Sequence, residues 1–269
     1  MLEVSQLSKS YGEGPDAVRA IADLTFTVES GEFVCIVGPS GCGKTTLLKC
    51  LSGLMRPTGG SAVLSGETID GPPKTLALVF QEYNRSLLPW MTVEGNVTLP
   101  LEAKKVAKAE RSRLVSDSLE AVGLGDFSTA YPWQLSGGMQ QRVAIARALA
   151  YQPEILLMDE PFASVDAQTR AELEDLTLRV RKEFNVTVVL VTHDIDEAVY
   201  LSDRVVVLSK RPTTVQEVID VDLPGPRNQV TTRELPRFAQ LRGQVARLIT
   251  GQATQPTRVA DDHPTGVAS

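Results

Sequence analysis

The sequence feature that most constrains the fold is the stretch Gly38–Thr46, which reads GPSGCGKTT. The apolar run Phe33–Val37 precedes it and is typical of a buried strand, and Leu47–Leu51 follows it as the start of a helix. Glycines and a lysine at this spacing, between a strand and a helix, are typical of a loop that binds phosphate groups. The stretch therefore predicts a nucleoside-triphosphate site; the alternative is a glycine-rich turn before an ordinary helix.

Each residue type in this loop has a physical task in holding phosphates. Gly38, Gly41 and Gly43 allow a tight turn in which the backbone approaches the ligand closely. Several backbone N–H groups and the positive end of the following helix then point at one spot. Lys44 supplies a full charge to the β- and γ-phosphates, and Thr45 offers a hydroxyl to Mg²⁺. The nucleotide-binding residues predicted in the loop are Gly38, Pro39, Ser40, Gly41, Cys42, Gly43, Lys44, Thr45 and Thr46.

Composition narrows the class of protein. The 269 residues suit one α/β domain or one domain with a sizeable insertion, and 42% hydrophobic with 22% charged residues is typical of a soluble globular chain. We find neither an apolar run long enough to span a bilayer nor a secretory signal, so we expect a cytoplasmic protein. Three scattered cysteines favour a reducing compartment over a disulfide framework. The net charge of −6 argues against a nucleic-acid partner.

Two adjacent carboxylates, Asp159 and Glu160, follow the apolar run Ile155–Met158, which is typical of a fully buried strand. Ligands of open α/β sheets lie at the carboxyl ends of the strands. Because neighbouring side chains of a strand point in opposite directions, we expect different roles for the two carboxylates. Asp159 suits Mg²⁺ bound through water, and Glu160 suits the polarisation of an attacking water molecule.

Three further residues are candidates for the same site, and each has a structural alternative. Gln81 follows the apolar run Leu76–Phe80 and could bind Mg²⁺ and sense the γ-phosphate, or it could merely cap a strand. His193 stands just after the run Val186–Val191, although an isolated histidine is more often a satisfied core or surface residue. Tyr11 lies beside glycines before a second strand, where its ring could stack on a purine or simply pack.

The stretch Leu135–Arg142, which reads LSGGMQQR, contains a second helix start that could bind an anion. Ser136 can cap this helix, and Gly137 and Gly138 leave its N-terminus open. The alternative is a plain capped helix. A comparable cap is predicted at Ser164–Asp166, before the next long helix.

The order of the apolar patterns predicts an α/β fold whose parallel sheet is interrupted by an insertion. Two alternating runs, Leu2–Leu7 and Ala20–Glu29, predict a small antiparallel sheet laid against the nucleotide-binding core. From about residue 83 to 152 the pattern becomes helical, including a charged helix over Lys104–Val122, and we interpret this part as a helical insertion.

The remaining strands and the C-terminal part follow the insertion. Val205–Leu208 and Val215–Val221 are expected to complete the sheet, and Leu235–Ile249 predicts a terminal helix. The stretch Thr254–Ser269 is polar and contains two prolines and a glycine, which predicts disorder.

Taken together, these stretches resemble the ATP-binding-cassette (ABC) ATPases, because they occur in that family's order and at its usual separations. The matching stretches are Gly38–Thr46, Gln81, Leu135–Arg142, Ile155–Glu160, Ser164–Asp166 and His193. The resemblance covers roughly residues 1–225. It implies an ABC ATPase domain over 1–225 with a P-loop NTPase (RecA-like) core, an antiparallel β subdomain and an inserted α-helical subdomain at about 83–152. A helical C-terminal extension at 226–253 and a tail at 254–269 would follow.

The resemblance also implies a role for each candidate residue. Tyr11 would stack on adenine, and Gln81 would couple Mg²⁺ to the helical insertion. Glu160 would be the general base, His193 would hold the γ-phosphate, and Lys44 would complete the catalytic set. The implied cofactors are ATP and Mg²⁺, and the implied Mg²⁺ ligands are Thr45, Gln81 and, through water, Asp159.

A head-to-tail homodimer is implied by the same resemblance. The signature residues Ser136, Gly137, Gly138 and Gln140 would contact ATP bound to the other copy, and Asp166 would be the D-loop residue. Two anion-seeking helix ends in one chain agree with this arrangement, since they are easier to use across a dimer.

A subgroup is suggested by stretches outside the catalytic motifs. Leu87–Trp90, Gly137–Met139, Lys210–Pro212 and Val221–Pro224 look like the nitrate/sulfonate/taurine group of bacterial importer ATPases, although Met139 replaces a Gln found in many cassettes. This likeness implies integral membrane permease subunits, docked through the insertion near Glu82–Val97, and a periplasmic or lipid-anchored solute-binding protein as an indirect partner. The subunit would then act at the cytoplasmic face of the membrane.

Two alternatives belong to other functional classes. One is an ABC ATPase of an exporter or a lipid transporter with separate membrane subunits. The other is a soluble ABC ATPase that moves no solute and acts in translation or DNA repair. Such soluble relatives usually carry two cassettes or a long coiled coil, whereas this chain has a single set of motifs and no sustained heptads.

Overall fold

A computed structural model describes residues 1–82 and 86–251 of the chain. The predicted start of the insertion at residue 83 and the predicted tail at 254–269 lie outside the described residues.

One mixed sheet runs through the described part of the chain. Its strands are β1 (Leu2–Tyr11), β2 (Val18–Val28), β3 (Phe33–Val37), β4 (Gly59–Leu64), β5 (Glu67–Thr68), β6 (Leu76–Val79), β7 (Ile155–Asp159), β8 (Thr187–Thr192), β9 (Arg204–Leu208) and β10 (Thr213–Asp220). Their order across the sheet is β5-β4-β1-β2-β10-β9-β3-β8-β7-β6.

The centre of the sheet is parallel and buried on both faces. Strands β9, β3, β8, β7 and β6 pair in parallel, and β3 and β8 are buried at every residue. Alternate residues divide between two apolar cores: Phe33, Cys35 and Val37 pack on one side of β3, and Val34 and Ile36 on the other. Continuous apolar runs are what a two-sided parallel sheet requires, so the predicted α/β fold is confirmed.

The N-terminal strands continue this sheet. Strand β10 pairs antiparallel with β9 and in parallel with β2, through Thr213 opposite Ile21 and Thr214 opposite Asp23. The antiparallel strands β2, β1, β4 and β5 follow outward. The predicted small antiparallel sheet is therefore an extension of the core sheet, because the free edge of β10 accepts β2.

The helices cover both faces of the sheet. They are α1 (Lys44–Leu51), α2 (Val93–Ala103), α3 (Lys108–Ala121), α4 (Gly137–Ala150), α5 (Ala167–Phe184), α6 (Ile195–Leu201) and α7 (Pro236–Thr250), with short 3₁₀ turns at Gly14–Asp16, Gly125–Phe127 and Pro132–Gln134. Helices α2, α3 and α4 pack on one another. No helix within residues 1–82 and 86–251 is both long and apolar enough to cross a membrane.

The charged helix of the insertion starts later than its sequence pattern predicted. Helix α3 begins at Lys108 and not at Lys104, because the N–H of Lys104 still bonds to the carbonyl of Pro100 at the end of α2. Lys105 then has a positive φ of 58°, which breaks the helical path.

The last helix is held by one apolar face. Phe238, Leu241 and Val245 of α7 are buried, and the helix packs on α6 and β9. Their spacing of three and four residues is that of one helical stripe, so α7 is part of the main core.

Candidate active site

The phosphate-loop sequence forms the turn between β3 and α1, with the geometry that its glycines predict. Gly41 and Gly43 have φ values of 73° and 111°, a left-handed region that strains a residue with a Cβ. A Cβ on Gly38 would lie only 3.0 Å from Sγ of Cys42 and from Cβ of Leu208. The loop therefore needs glycine for two reasons, backbone conformation and close packing against the end of β9.

Lys44 places a cation inside the loop. Its side chain is 6% exposed, and Nζ donates hydrogen bonds to the carbonyl oxygens of Gly38 at 3.0 Å and Pro39 at 3.5 Å. Its hydrogen-bond partners in the described structure are thus neutral carbonyls. An anion at the loop would provide the counter-charge that a buried ammonium group favours.

A cleft of about 350 Å³ opens on the loop. The residues that line it are Ser40, Gly41, Gly43, Lys44, Thr45, Thr46, Glu160 and Arg211. Arg211, between β9 and β10, was not predicted as a site residue. Its charge would favour phosphate groups, but the only sequence signal is a basic pair, Lys210 and Arg211, in a loop.

Asp159 lies at the end of β7 beside the loop. Burial raises the pKa of its carboxyl group, the charge of Glu160 raises it further, and a hydrogen bond from Thr45 and the charge of Lys44 lower it. A carboxylate, a hydroxyl and the nearby amide of Gln81 are oxygen donors of the kind that Mg²⁺ prefers. A divalent cation would also relieve the repulsion between the two carboxylates, so these residues fit Mg²⁺.

Glu160 leaves the strand direction as soon as β7 ends. Its φ is 43°, and its backbone N–H donates to the carbonyl of Val191 on β8 at 2.8 Å. A left-handed conformation in a residue with a Cβ costs about 1–2 kcal/mol. This turn carries the Glu160 carboxylate into the cleft of the phosphate loop.

The structure brings Gln81 and His193 to the same carboxylate. Nε2 of Gln81 lies 3.4 Å from Oε2 of Glu160, and Nδ1 of His193 lies 3.1 Å from the same oxygen. The His193 side chain remains 59% exposed. Three residues at the ends of three neighbouring strands, β6, β7 and β8, therefore converge on one point beside the cleft.

Tyr11 is the last residue of β1 and lies at the far end of the loop. Its hydroxyl is 3.0 Å from Oγ1 of Thr46 and 3.4 Å from Sδ of Met55, and Nζ of Lys9 lies 5.7 Å from the ring centre. The residue is 41% exposed. An accessible ring beside Thr46 can offer a flat apolar surface to a base whose phosphates occupy the loop.

Thr213 supports the loop from behind, and sequence reasoning missed it. It is fully buried at the start of β10, and its hydroxyl donates to the carbonyl oxygen of Cys42. The pairing of β10 with β2, with Thr213 opposite Ile21, places it beside the loop, and no local sequence pattern around Thr213 indicates the contact.

The signature stretch forms the predicted capped helix start, outside the cleft. The hydroxyl of Ser136 accepts from the N–H of Met139 at 3.3 Å at the start of α4. Among the described residues that line the cleft, none belongs to the signature. The side-chain amide of Gln140 donates to the carbonyls of Pro132 and Leu135, at 3.0 and 3.2 Å, and so holds the preceding turn of its own chain.

Asp166 caps α5, as the sequence predicted for Ser164–Asp166. Its carboxylate accepts from the N–H of Thr169 at 3.0 Å and from the hydroxyl of Thr169 at 2.7 Å. These hydrogen bonds lower the pKa of the Asp166 carboxyl group.

The segment that precedes α2 is fixed to the helices. Asn96 is fully buried; its Oδ1 accepts from the N–H of Leu88 at 2.7 Å, and its Nδ2 donates to the carbonyls of Leu88, Met91 and Thr92. Arg147 of α4 donates to the carbonyl and the hydroxyl of Ser86, at 2.6 and 2.8 Å. Ser86 and Leu88 are thus joined by side-chain hydrogen bonds to α4 and α2, respectively.

A buried acidic cluster lies behind β8, close to His193 in sequence. Oε2 of Glu197 accepts from the hydroxyl of Thr192 at 3.1 Å, whereas its Oε1 is buried without a partner among the described residues. Burial, followed by the charge of Glu174, raises the pKa of Glu197 to about 8. Glu174 in turn accepts from Arg233 at 2.8 Å and from Gln229 at 2.9 Å, both in the segment before α7.

The chain is similar to known proteins over most of its length. The family model described as ABC transporter matches residues 21–163. The chain is 41% identical over 261 residues to the nitrate import ATP-binding protein NrtD of Synechocystis sp., covering 95% of this chain and 97% of that one. It is 43% identical over 244 residues to the aliphatic sulfonates import ATP-binding protein SsuB of Bacillus licheniformis, covering 91% and 92%. A dimeric post-hydrolysis structure of the ATP-binding cassette MJ0796 with ADP and Pi matches with a TM-score of 0.71 at 34% identity, over 82% of this chain and 99% of that one.

Proposed function

Because the chain belongs to the ABC transporter family, we propose that it is the ATP-hydrolysing subunit of an importer and works as a pair with a second copy of itself. The observation that carries this proposal is the convergence of Gln81 and His193 on the carboxylate of Glu160 at the mouth of the phosphate-loop cleft.

ATP binds with its phosphates in the loop Gly38–Thr46 and its adenine near Tyr11. The N–H groups of the loop and the N-terminus of α1 hold the phosphate oxygens. Lys44 exchanges its carbonyl partners for a phosphate oxygen, and Arg211 adds a second positive charge at the rim of the cleft.

Hydrolysis needs a base beside the γ-phosphate, and Glu160 is in the position to serve. Its carboxylate accepts a proton from a water molecule as the water oxygen forms a bond to the γ-phosphorus. The bond between that phosphorus and the bridging oxygen breaks, and ADP and inorganic phosphate leave. Gln81 and His193 orient the carboxylate, and we expect them to respond to the γ-phosphate.

The residues proposed to hold Mg²⁺ are Thr45, Gln81 and Asp159, the last through water. When bound, the ion neutralises charge on the phosphate oxygens. The raised pKa of Asp159 agrees with this role, since a cation restores the ionised form.

A second copy of the chain completes each site. The signature turn at Ser136, Gly137 and Gly138 is an open helix start that does not line the cleft of its own chain. We assign it to the γ-phosphate of ATP held by the partner, with Gln140 behind it and Asp166 beside it. This assignment explains why one chain carries two anion-seeking helix starts.

The membrane partner docks on the helical insertion at about 83–152. Trp90 and Trp133 are 72% and 69% exposed, and Trp133 stacks on Tyr131 with ring centres 5.9 Å apart. Exposed aromatic side chains are enriched at protein interfaces. We expect a displacement of Gln81 on ATP binding to be passed to this surface, which the hydrogen bonds of Asn96 hold to α2, and so to permease subunits on the cytoplasmic side of the membrane.

We propose that the transported solute is nitrate, a sulfonate, taurine or a similar small solute. Relatives named for nitrate import and aliphatic sulfonate import align over nearly the whole chain. A periplasmic or lipid-anchored solute-binding protein would select the solute, since an ATPase subunit does not contact it. We propose that the ABC ATPase domain spans 1–225 and that 226–253 is a C-terminal extension, whose helix α7 packs on the core of the domain.

The test is a Glu160→Gln variant, which keeps the size and hydrogen-bonding shape of the side chain but cannot take a proton. We expect ATP turnover to fall by about 10²-fold or more while ATP binding persists. The variant should also accumulate as a dimer with ATP and Mg²⁺, seen by size-exclusion chromatography with light scattering.

The control is Glu183→Gln, an equally conservative change at an exposed position near the end of α5. It should match the unsubstituted chain in turnover and in oligomeric state. Unchanged turnover in Glu160→Gln, or a specific activity that does not rise with protein concentration, would remove the basis for the proposal.

A further inference from the structure

The second glycine of the signature turn is packed against another helix of its own chain. An ideal Cβ on Gly138 would lie less than 3.0 Å from Cγ2 of Thr169, closer than real Cβ atoms approach. Gly138 is in the first turn of α4, and Thr169 is in the first turn of α5. The space left by the missing side chain of Gly138 is therefore filled by the methyl group of Thr169.

The direction of that methyl group is set by Asp166. The Thr169 hydroxyl donates to Oδ2 of Asp166 at 2.7 Å, and the Thr169 N–H donates to Oδ1 at 3.0 Å. A β-branched side chain has few allowed rotamers, so fixing the hydroxyl also fixes the methyl group. One residue thus touches the signature turn with its methyl group and the cap of α5 with its hydroxyl.

We propose that Thr169 is a positioning residue for ATP hydrolysis. Its methyl group, packed against Gly138, fixes the position of the signature turn relative to Asp166 of the same chain. The inference rests on the proposed function, in which the signature turn of one copy closes on ATP held by the other. Gly138 then has two roles: it leaves the start of α4 open, and it provides space for the Thr169 methyl group.

This contact predicts how substitutions at the two positions combine. A Cβ at position 138 must push the Thr169 methyl group away, which turns the hydroxyl from Asp166 and shifts the start of α4. Serine at position 169 has no methyl group and keeps the hydroxyl. The harm done by a Cβ at position 138 should therefore disappear when residue 169 is serine.

The test compares Gly138→Ala, Thr169→Ser and the double variant in the full chain. We expect Gly138→Ala to lower kcat for ATP by about tenfold or more, because a displacement of about 1 Å in an active site is costly. Its affinity for a fluorescent ATP analogue, measured on dilute protein, should stay within about twofold. The double variant should recover to within about threefold of Thr169→Ser.

A matched control is Thr177→Ser, which removes a methyl group from the same helix. Thr177 is buried, donates its hydroxyl to the carbonyl of Leu173, and lies about 12 Å further along α5. Combined with Gly138→Ala, it should leave kcat as low as Gly138→Ala alone. The proposal is overturned if the Gly138→Ala/Thr169→Ser variant is no more active than Gly138→Ala. It is also overturned if Thr177→Ser restores kcat to Gly138→Ala as well as Thr169→Ser does.

Two further readouts separate the possible failures. ATP turnover that survives the Glu160→Gln substitution counts against the proposed function. If turnover depends on Glu160 but Thr169→Ser fails to restore the Gly138→Ala variant, only the role of Thr169 is contradicted. If circular dichroism shows that Gly138→Ala is unfolded, Thr169→Val takes its place, since valine fills the space beside Gly138 but lacks the hydroxyl. It should lower kcat by about fivefold with KM unchanged, and an unchanged kcat overturns the proposal.

Discussion

Nδ1 of His193 lies 3.1 Å from Oε2 of Glu160, and this contact joins the ends of β8 and β7. A backbone hydrogen bond joins the same two strand ends, from the N–H of Glu160 to the carbonyl of Val191, two residues before His193. The proposed base is therefore oriented from the neighbouring strand at both its backbone and its carboxylate.

The first prediction concerns this pair. His193→Ala should lower kcat for ATP by about tenfold or more, because Glu160 loses the neighbour that orients its carboxylate. Binding of ATP to dilute protein should change little, since His193 does not line the loop cleft. Steady-state kinetics and a fluorescent-nucleotide titration measure the two effects. A weakened nucleotide affinity with kcat intact would assign His193 to binding instead.

The second prediction concerns Thr213, which donates its hydroxyl to the carbonyl of Cys42 in the phosphate loop. Thr213→Val keeps the shape but leaves that carbonyl without this donor, so we expect the free energy of unfolding to fall by about 1–3 kcal/mol. ATP affinity should weaken in the same variant. Thr214→Val is the control, because the Thr214 hydroxyl bonds to Ser209, away from the loop; it should leave ATP affinity unchanged.

The third prediction is a pH dependence of stability from Glu197. Its pKa is about 8 in the folded protein and near 4.5 when unfolded. Between these values the folded state keeps a proton that the unfolded state has lost, so the free energy of unfolding must fall as pH rises. Below about 4.5 both states are protonated and above about 8 both are ionised, so the contribution is then constant. The total loss is at most about 5 kcal/mol.

Urea denaturation at pH 5.5 and pH 8 measures this effect, with Glu197→Gln as the reference. The amide cannot ionise, so the variant should lose less stability over this interval than the unsubstituted chain. Equal losses in the two proteins would show that Glu197 does not carry the proton.

The fourth prediction compares two arginine–carboxylate pairs near the C-terminus. Arg233 pairs with Glu174, whose side chain is only 2% exposed, whereas Arg237 pairs with Asp222 at exposures of 46% and 63%. Arg233→Ala should cost about 2–3 kcal/mol of unfolding free energy, because it leaves a buried carboxyl group without its cation. Arg237→Ala should cost much less, because water screens the attraction between two exposed charges. Guanidinium denaturation would contradict this order if the two costs were equal.

Much of the site was predictable because its chemistry is local. The phosphate loop, the carboxylates Asp159 and Glu160, and the caps at Ser136 and Asp166 are each defined by a few consecutive residues. Arg211 and Thr213 could not be predicted in the same way. Their roles depend on the loop and strand that return beside the phosphate loop, far from it in sequence.

The sequence by itself determined the strands of the parallel core, which turns can bind anions and which residues can carry the chemistry. Short-range sterics and the alternation of apolar residues set these features within a few residues of each position. The tertiary structure alone decided that Gln81 and His193 meet at Glu160, that β10 joins the two parts of the sheet, and that Thr169 fills the space beside Gly138. Each of these is a contact between segments distant in the chain, and it exists only after packing has chosen the neighbours of every strand and helix.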